Sequence, residues 1–114
     1  MADCLFCKIV SGEIPAKVVY EDEDCLAFDD INPQAPVHVL VIPKKHVISL
    51  TDAAAADAEL LGRLCLACAG IAAQKGIAED GYRVVTNKGE KAGQSVFHLH
   101  LHVLGGRRMS WPPG

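Results

Sequence analysis

Residues 96–104, Val-Phe-His-Leu-His-Leu-His-Val-Leu, alternate three imidazoles with apolar side chains. A period of two belongs to a β-strand and to no helix, because successive strand side chains point to opposite faces. His98, His100 and His102 are therefore expected on one face, with Phe97, Leu99, Leu101 and Val103 on the other. A rise of about 3.3 Å per residue sets neighbouring imidazoles roughly 6–7 Å apart. Each buried imidazole loses hydration unless it is paired, and a β-branched residue would serve the strand better, so a row of three marks a site more than a scaffold.

The rest of the chain supplies partners for such a strand. Lys17–Tyr20 and Cys25–Phe28 read as a hairpin around the acidic turn Glu21–Asp24, a solvated charge run without chemistry of its own. Val37–Ile42 is an apolar, β-branched run that stops at Pro43, and Tyr82–Thr86 is another short strand. Residues 4–11 form a short helix ended by Gly12, and Leu60, Leu61, Leu64, Cys68 and Ile71 line one face of a long helix over Asp57–Lys75. Thr51 and Asp52 are candidate caps for an earlier start, through Ala53–Ala56, and Gly76 is the candidate C-terminal cap. No strand-helix-strand alternation is present, so the class is α+β, a five-stranded antiparallel sheet with one long and one short helix, the helices covering one face. At 114 residues the chain forms one domain, 1–114.

A net charge of −3 excludes charge-driven binding to long nucleic acid, although a mononucleotide needs only a local pocket. No apolar run reaches the roughly 18 residues of a membrane span, and no basic-then-apolar leader opens the chain, so a cytoplasmic protein is expected. Five cysteines then suggest thiols or a metal site rather than disulfides. Cys65 and Cys68 lie one helical turn apart and read as packing, whereas Cys4 and Cys7 could give two thiolates to zinc or simply fill space beneath the short helix. Asp29–Pro36 is a loop by composition, where a carboxylate could accept from a ribose diol, but Asp30 by itself reads as a turn residue. His38, in an apolar strand, reads as a buried core histidine bonded to backbone. The linker Asn87–Ser95 can turn tightly at its glycines and expose N–H groups, a weak phosphate-cradle signal that gains force directly before three histidines.

Residues 98–104 resemble the His-φ-His-φ-His-φ-φ signature of the histidine triad superfamily. Cys4–Ile9, Glu13–Lys17, Phe28–Pro36, His38–His46, Gly93–Ser95 and Trp111–Gly114 resemble its nucleotide-binding, purine phosphoramidase branch; only the helical middle, about 49–80, is generic. The resemblance implies a homodimer whose sheets join into a continuous ten-stranded sheet, with residues 105–114 a tail at the interface and Trp111 beside the partner's site. It implies hydrolysis of the P–N bond of purine nucleoside 5′-phosphoramidates through a nucleotidyl-histidine, with His100 as nucleophile, the carbonyl of His98 fixing its tautomer, His102 stabilising the phosphate, and His38 orienting behind the reactive histidine. Asp30 would hold the ribose; Phe6, Ile9, Phe28 and Ile31 the base; Asn87, Gly93, Gln94, Ser95 and Val96 the phosphate. The same resemblance gives Zn2+ to Cys4, Cys7, His46 and His98, as a structural ion with no open position for substrate. Two other classes stay open: His98, His100 and His102 binding a catalytic metal directly, and a nucleotide-responsive binding protein whose hydrolysis is incidental.

Overall fold

The computed structural model describes residues 3–114. Two α-helices, α1 (Leu5–Ser11) and α2 (Ala58–Gln74), accompany five strands, β1 (Val18–Glu21), β2 (Cys25–Asp29), β3 (Val37–Pro43), β4 (Tyr82–Val85) and β5 (Leu101–Gly105). The strands form one sheet in the order β1-β2-β3-β5-β4, every neighbouring pair antiparallel. This is the α+β architecture that the sequence predicts. The hairpin turn is held by Asp22, whose carboxylate accepts from the N–H groups of Asp24 and Cys25, each at 2.8 Å.

The helices do not share a face. Cys25, Ala27, Val39, Val41, Leu101 and Val103 pack with Leu64, Cys68, Ile71 and Ala72 of α2. Their strand neighbours Leu26, Phe28, Leu40 and Ile42 pack with Phe6, Ile9 and Val10 of α1. An element on each side explains why β2 and β3 read as continuous apolar runs rather than as alternating ones. Within α2, Cys68 is buried as packing requires, but Cys65 is exposed, because three residues carry it 300° around the helix to the rim of the apolar stripe.

Helix α2 begins later than Thr51 and Asp52 would allow. Two single 3-10 turns, Leu50–Asp52 and Ala55–Asp57, precede it, and the Asp57 carboxylate binds the Ala54 N–H at 2.9 Å and Lys45 Nζ at 2.6 Å. At the other end Gly76, at φ +75°, donates to Ala73 O while Ile77 N–H donates to Ala72 O, the paired bonds that satisfy a helix's last carbonyls.

The histidine stretch is a strand only from Leu101 onwards. The ladders end there: β3 pairs with it no earlier than Val41↔Leu101 and β4 no earlier than Val85↔His102. Before that point Leu99 N–H donates to Val47 O at 2.6 Å, and Thr86 Oγ1 donates to His100 O at 2.9 Å. Leu99, Leu101 and Val103 still face α2, but Phe97 is turned out and is 56% exposed. The tail after β5 folds back on the sheet, with Arg107 Nε donating to Gln34 O at 3.0 Å and Arg83 donating to Ser110 O at 3.0 Å. Trp111 is 82% exposed, its ring centroid 5.9 Å from the Arg83 guanidinium carbon.

Candidate active site

A cleft of about 840 Å3 opens on the α1 face of the sheet. The register Phe28↔Leu40↔His102 crosses it, so His102 stands two strands from Phe28, about 10 Å at the spacing of sheet strands. Phe6, Ile9, Phe28 and Ile31 line its apolar part, and Asp30, His38, Ser95, Val96, His100 and His102 its polar part. Asn87, Gly93, Gln94 and Trp111 do not line it.

Four imidazoles have a neighbour that fixes which nitrogen carries the proton. His98 is fully buried and its Nε2–H donates to Pro43 O at 2.8 Å, so Nδ1 is left as a lone pair. His100 Nδ1–H donates to His98 O at 2.7 Å, so Nε2 is the lone pair, on a ring that lines the cleft and meets the Phe6 ring edge-on at 5.2 Å. His38 Nδ1 accepts from the backbone N–H of Gln34 at 3.0 Å, which places its proton on Nε2. That proton is donated to His102 Nδ1 at 2.9 Å, with Asp30 Oδ2 at 3.4 Å from the same nitrogen. His102 therefore carries its own proton on Nε2. His38 is thus bonded to backbone on one side and to the triad on the other, and it stands behind His102 rather than His100.

Burial, reinforced by His100 and His38, pulls His102 down to about 4. Burial likewise lowers His38, against the opposing pull of the Asp30 carboxylate, and lowers His98, which the Pro43 carbonyl partly offsets. Asp30 already serves its own loop, accepting from the Asn32 N–H at 2.8 Å.

The free nitrogen of His98 does not face the other two triad rings. It meets Cys4 Sγ at 3.4 Å, Cys7 Sγ at 3.6 Å and His46 Nδ1 at 3.2 Å, and Cys7 Sγ is 3.2 Å from His46 Nδ1. A tetrahedral zinc with bonds of about 2.0–2.1 Å to N and 2.3 Å to S would separate such donors by roughly 3.3–3.6 Å. The four side chains fit that ion, and the Pro43 carbonyl supplies the outer contact that orients a ligating histidine. Burial and the neighbouring Cys4 raise the Cys7 thiol, the penalty that a cation would relieve.

Three contributors escaped the sequence reading: Pro43 O and the Gln34 N–H act through the backbone and leave no side-chain signature, and Thr86 looks like any strand-end threonine. Gln94, a phosphate contact by resemblance, has its carboxamide bonded to Gly89, Ile48 and Val96.

Fold and site together define a histidine-triad protein, and comparison with known proteins agrees. The HIT domain family model matches residues 11–109, so the chain belongs to that family. It is 56% identical over 98% of its length to an uncharacterized HIT-like protein of Synechococcus elongatus, of which it covers 97%. A HIT family hydrolase from Legionella pneumophila superposes with a TM-score of 0.96 at 54% identity, covering 98% of this chain and 100% of that one. A histidine triad nucleotide-binding protein from Candida albicans gives a TM-score of 0.84 at 32% identity, over 96% of this chain and 83% of that one. The chain thus carries the fold of the HIT family hydrolases. No helix among its described residues is long and apolar enough to cross a membrane.

Proposed function

We propose that the protein hydrolyses the P–N bond of purine nucleoside 5′-phosphoramidates through a nucleotidyl-histidine. One observation carries this reading: the bond from His100 Nδ1–H to the His98 carbonyl leaves an unprotonated Nε2 on a ring that lines the cleft. A neutral imidazole nitrogen held in this way is a nucleophile, and a covalent intermediate divides one displacement into two easier ones.

In this reading the nucleotide lies across the sheet, with phosphate at the imidazoles and Ser95–Val96, ribose at Asp30, and base in the slot of Phe6, Ile9, Phe28 and Ile31. His100 Nε2 attacks phosphorus as the P–N bond to the amine breaks. The Nε2–H of His102 hydrogen-bonds the departing nitrogen, which takes up a proton from solvent as it leaves as the amine. Water then attacks phosphorus, gives up a proton to solvent, and the nucleotide leaves His100. Zinc held by Cys4, Cys7, His46 and His98 would be structural, with no ligand position for substrate. We place the protein in a homodimer, with the tail from residue 105 onwards and Trp111 beside the partner's site, in the cytoplasm.

The test is intact mass after a brief acid quench of wild type and His100→Gly with adenosine 5′-phosphoramidate, alongside ammonia release. A transient AMP adduct on wild type, with adduct and release both lost in the variant, is expected. Release that survives in His100→Gly removes the nucleophile assignment. Nucleotide binding without turnover in wild type supports a binding protein instead, and activity abolished by chelation without any adduct supports direct metal catalysis.

A further inference from the structure

We propose that Gln94 is a positioning residue rather than a nucleotide contact: its buried carboxamide clamps the Gly89–Val96 loop to the segment that follows His46, holding Ser95 and Val96 at the cleft. The inference rests on the reading of Ser95 and Val96 as the phosphate end of the site.

Gln94 is 5% exposed, and both its amide protons and one lone pair of its oxygen are used inside the protein. Oε1 accepts from the Gly89 N–H at 2.9 Å, and Nε2 donates to Ile48 O at 2.7 Å and to Val96 O at 3.2 Å. Its backbone N–H also donates to Gly89 O at 3.1 Å, so residue 94 grips Gly89 from both sides. That double grip closes a small ring containing the 3-10 turn Glu90–Ala92 and Gly93 at φ +95°. Ile48 lies two residues after His46 and Val96 two before His98, and the Leu99 N–H to Val47 O bond stitches the same two segments beyond His98. Only a side chain with two donors and an acceptor on one planar group satisfies two carbonyls and an N–H together. A carboxylate would face both carbonyls with no proton, and an apolar side chain would leave three partly buried backbone groups without this partner.

The experiment compares wild type, Gln94→Glu and Gln94→Leu by steady-state hydrolysis of adenosine 5′-phosphoramidate, AMP titration and amide hydrogen exchange. Loss of the clamp should raise KM and weaken AMP binding by about tenfold, with a smaller fall in kcat. Exchange at Gly89, Ser95 and Val96 should quicken while the β3 and β5 amides stay protected. In wild type the Gln94 carboxamide protons should remain protected with and without AMP, a measurement that stands even where a variant misfolds. Altered kinetics with unaltered loop exchange, or carboxamide protons whose protection changes on AMP binding, would make Gln94 a substrate contact and overturn the proposal. Faster loop exchange with unaltered KM and AMP affinity would overturn it too. Absence of hydrolysis in wild type would remove the phosphoramidase reading alone, because AMP affinity and exchange still decide the clamp.

Discussion

His100 and His102 are the same side chain two residues apart, and the groups behind them, both at Nδ1, leave Nε2 in opposite protonation states. A carbonyl behind His100 holds the proton on Nδ1, and an imidazole behind His102 leaves the proton on Nε2, so one ring offers a lone pair and the other a donor. The alternation in the sequence reveals that the imidazoles matter, but not this division, because Pro43 O, His98 O and the Gln34 N–H are features every residue possesses. The depressed pKa values give a pH prediction. His38 and His102 are neutral in the native protein, His102 down to about 4, while the unfolded chain titrates them near the ordinary value of about 6.5. As pH falls through 6.5 the unfolded state takes up protons that the native state refuses, so stability declines from about pH 6.5 towards 4. Urea unfolding at pH 7.5, 5.5 and 4.5 should show the midpoint falling, and His102→Gln should flatten that decline. An unchanged slope in the variant would contradict the assignment.

At the scale of elements, the spacing of Leu64, Cys68 and Ile71 announces α2, and apolar runs announce β2 and β3, because burial leaves its pattern in the sequence. Element ends are less legible. The Asp57 carboxylate caps a 3-10 turn that propensity alone does not distinguish from a first helical turn, and β5 starts at Leu101 because its neighbours' ladders end there. Glycines separate the two kinds of constraint. Gly62 is exposed within α2 with nothing within 4 Å of an added Cβ, so Gly62→Ala should stabilise by roughly 0.5–1 kcal/mol. Gly106 has φ +88° and a would-be Cβ 3.0 Å from Pro36 Cβ, so Gly106→Ala should cost about 1–2 kcal/mol. Melting temperatures that move in opposite directions would bear out the pair, and a Gly62→Ala variant melting lower would count against the helix environment described.

Across the whole molecule, Cys4, Cys7, His46 and His98 bring α1, the segment after β3 and the approach to β5 to one point. A zinc ion there would tie the lid of the cleft to the histidine stretch, and its binding free energy would add to folding free energy. Protein loaded with zinc should therefore melt several degrees lower after chelation, and Cys7→Ser should abolish both the bound metal and the chelator's effect. Equal melting temperatures with and without chelator would show that the ion contributes nothing to the fold.

By itself the sequence determined the class of fold and which side chains are available for chemistry, because periodicity and side-chain type are written residue by residue. Tertiary structure alone decided that the helices lie on opposite faces, that His98 turns its lone pair to the cysteines while His100 turns another to the cleft, and that Gln94 is spent inside the protein. Those outcomes depend on backbone carbonyls and amides brought together from distant parts of the chain, and a backbone group has no letter in the sequence.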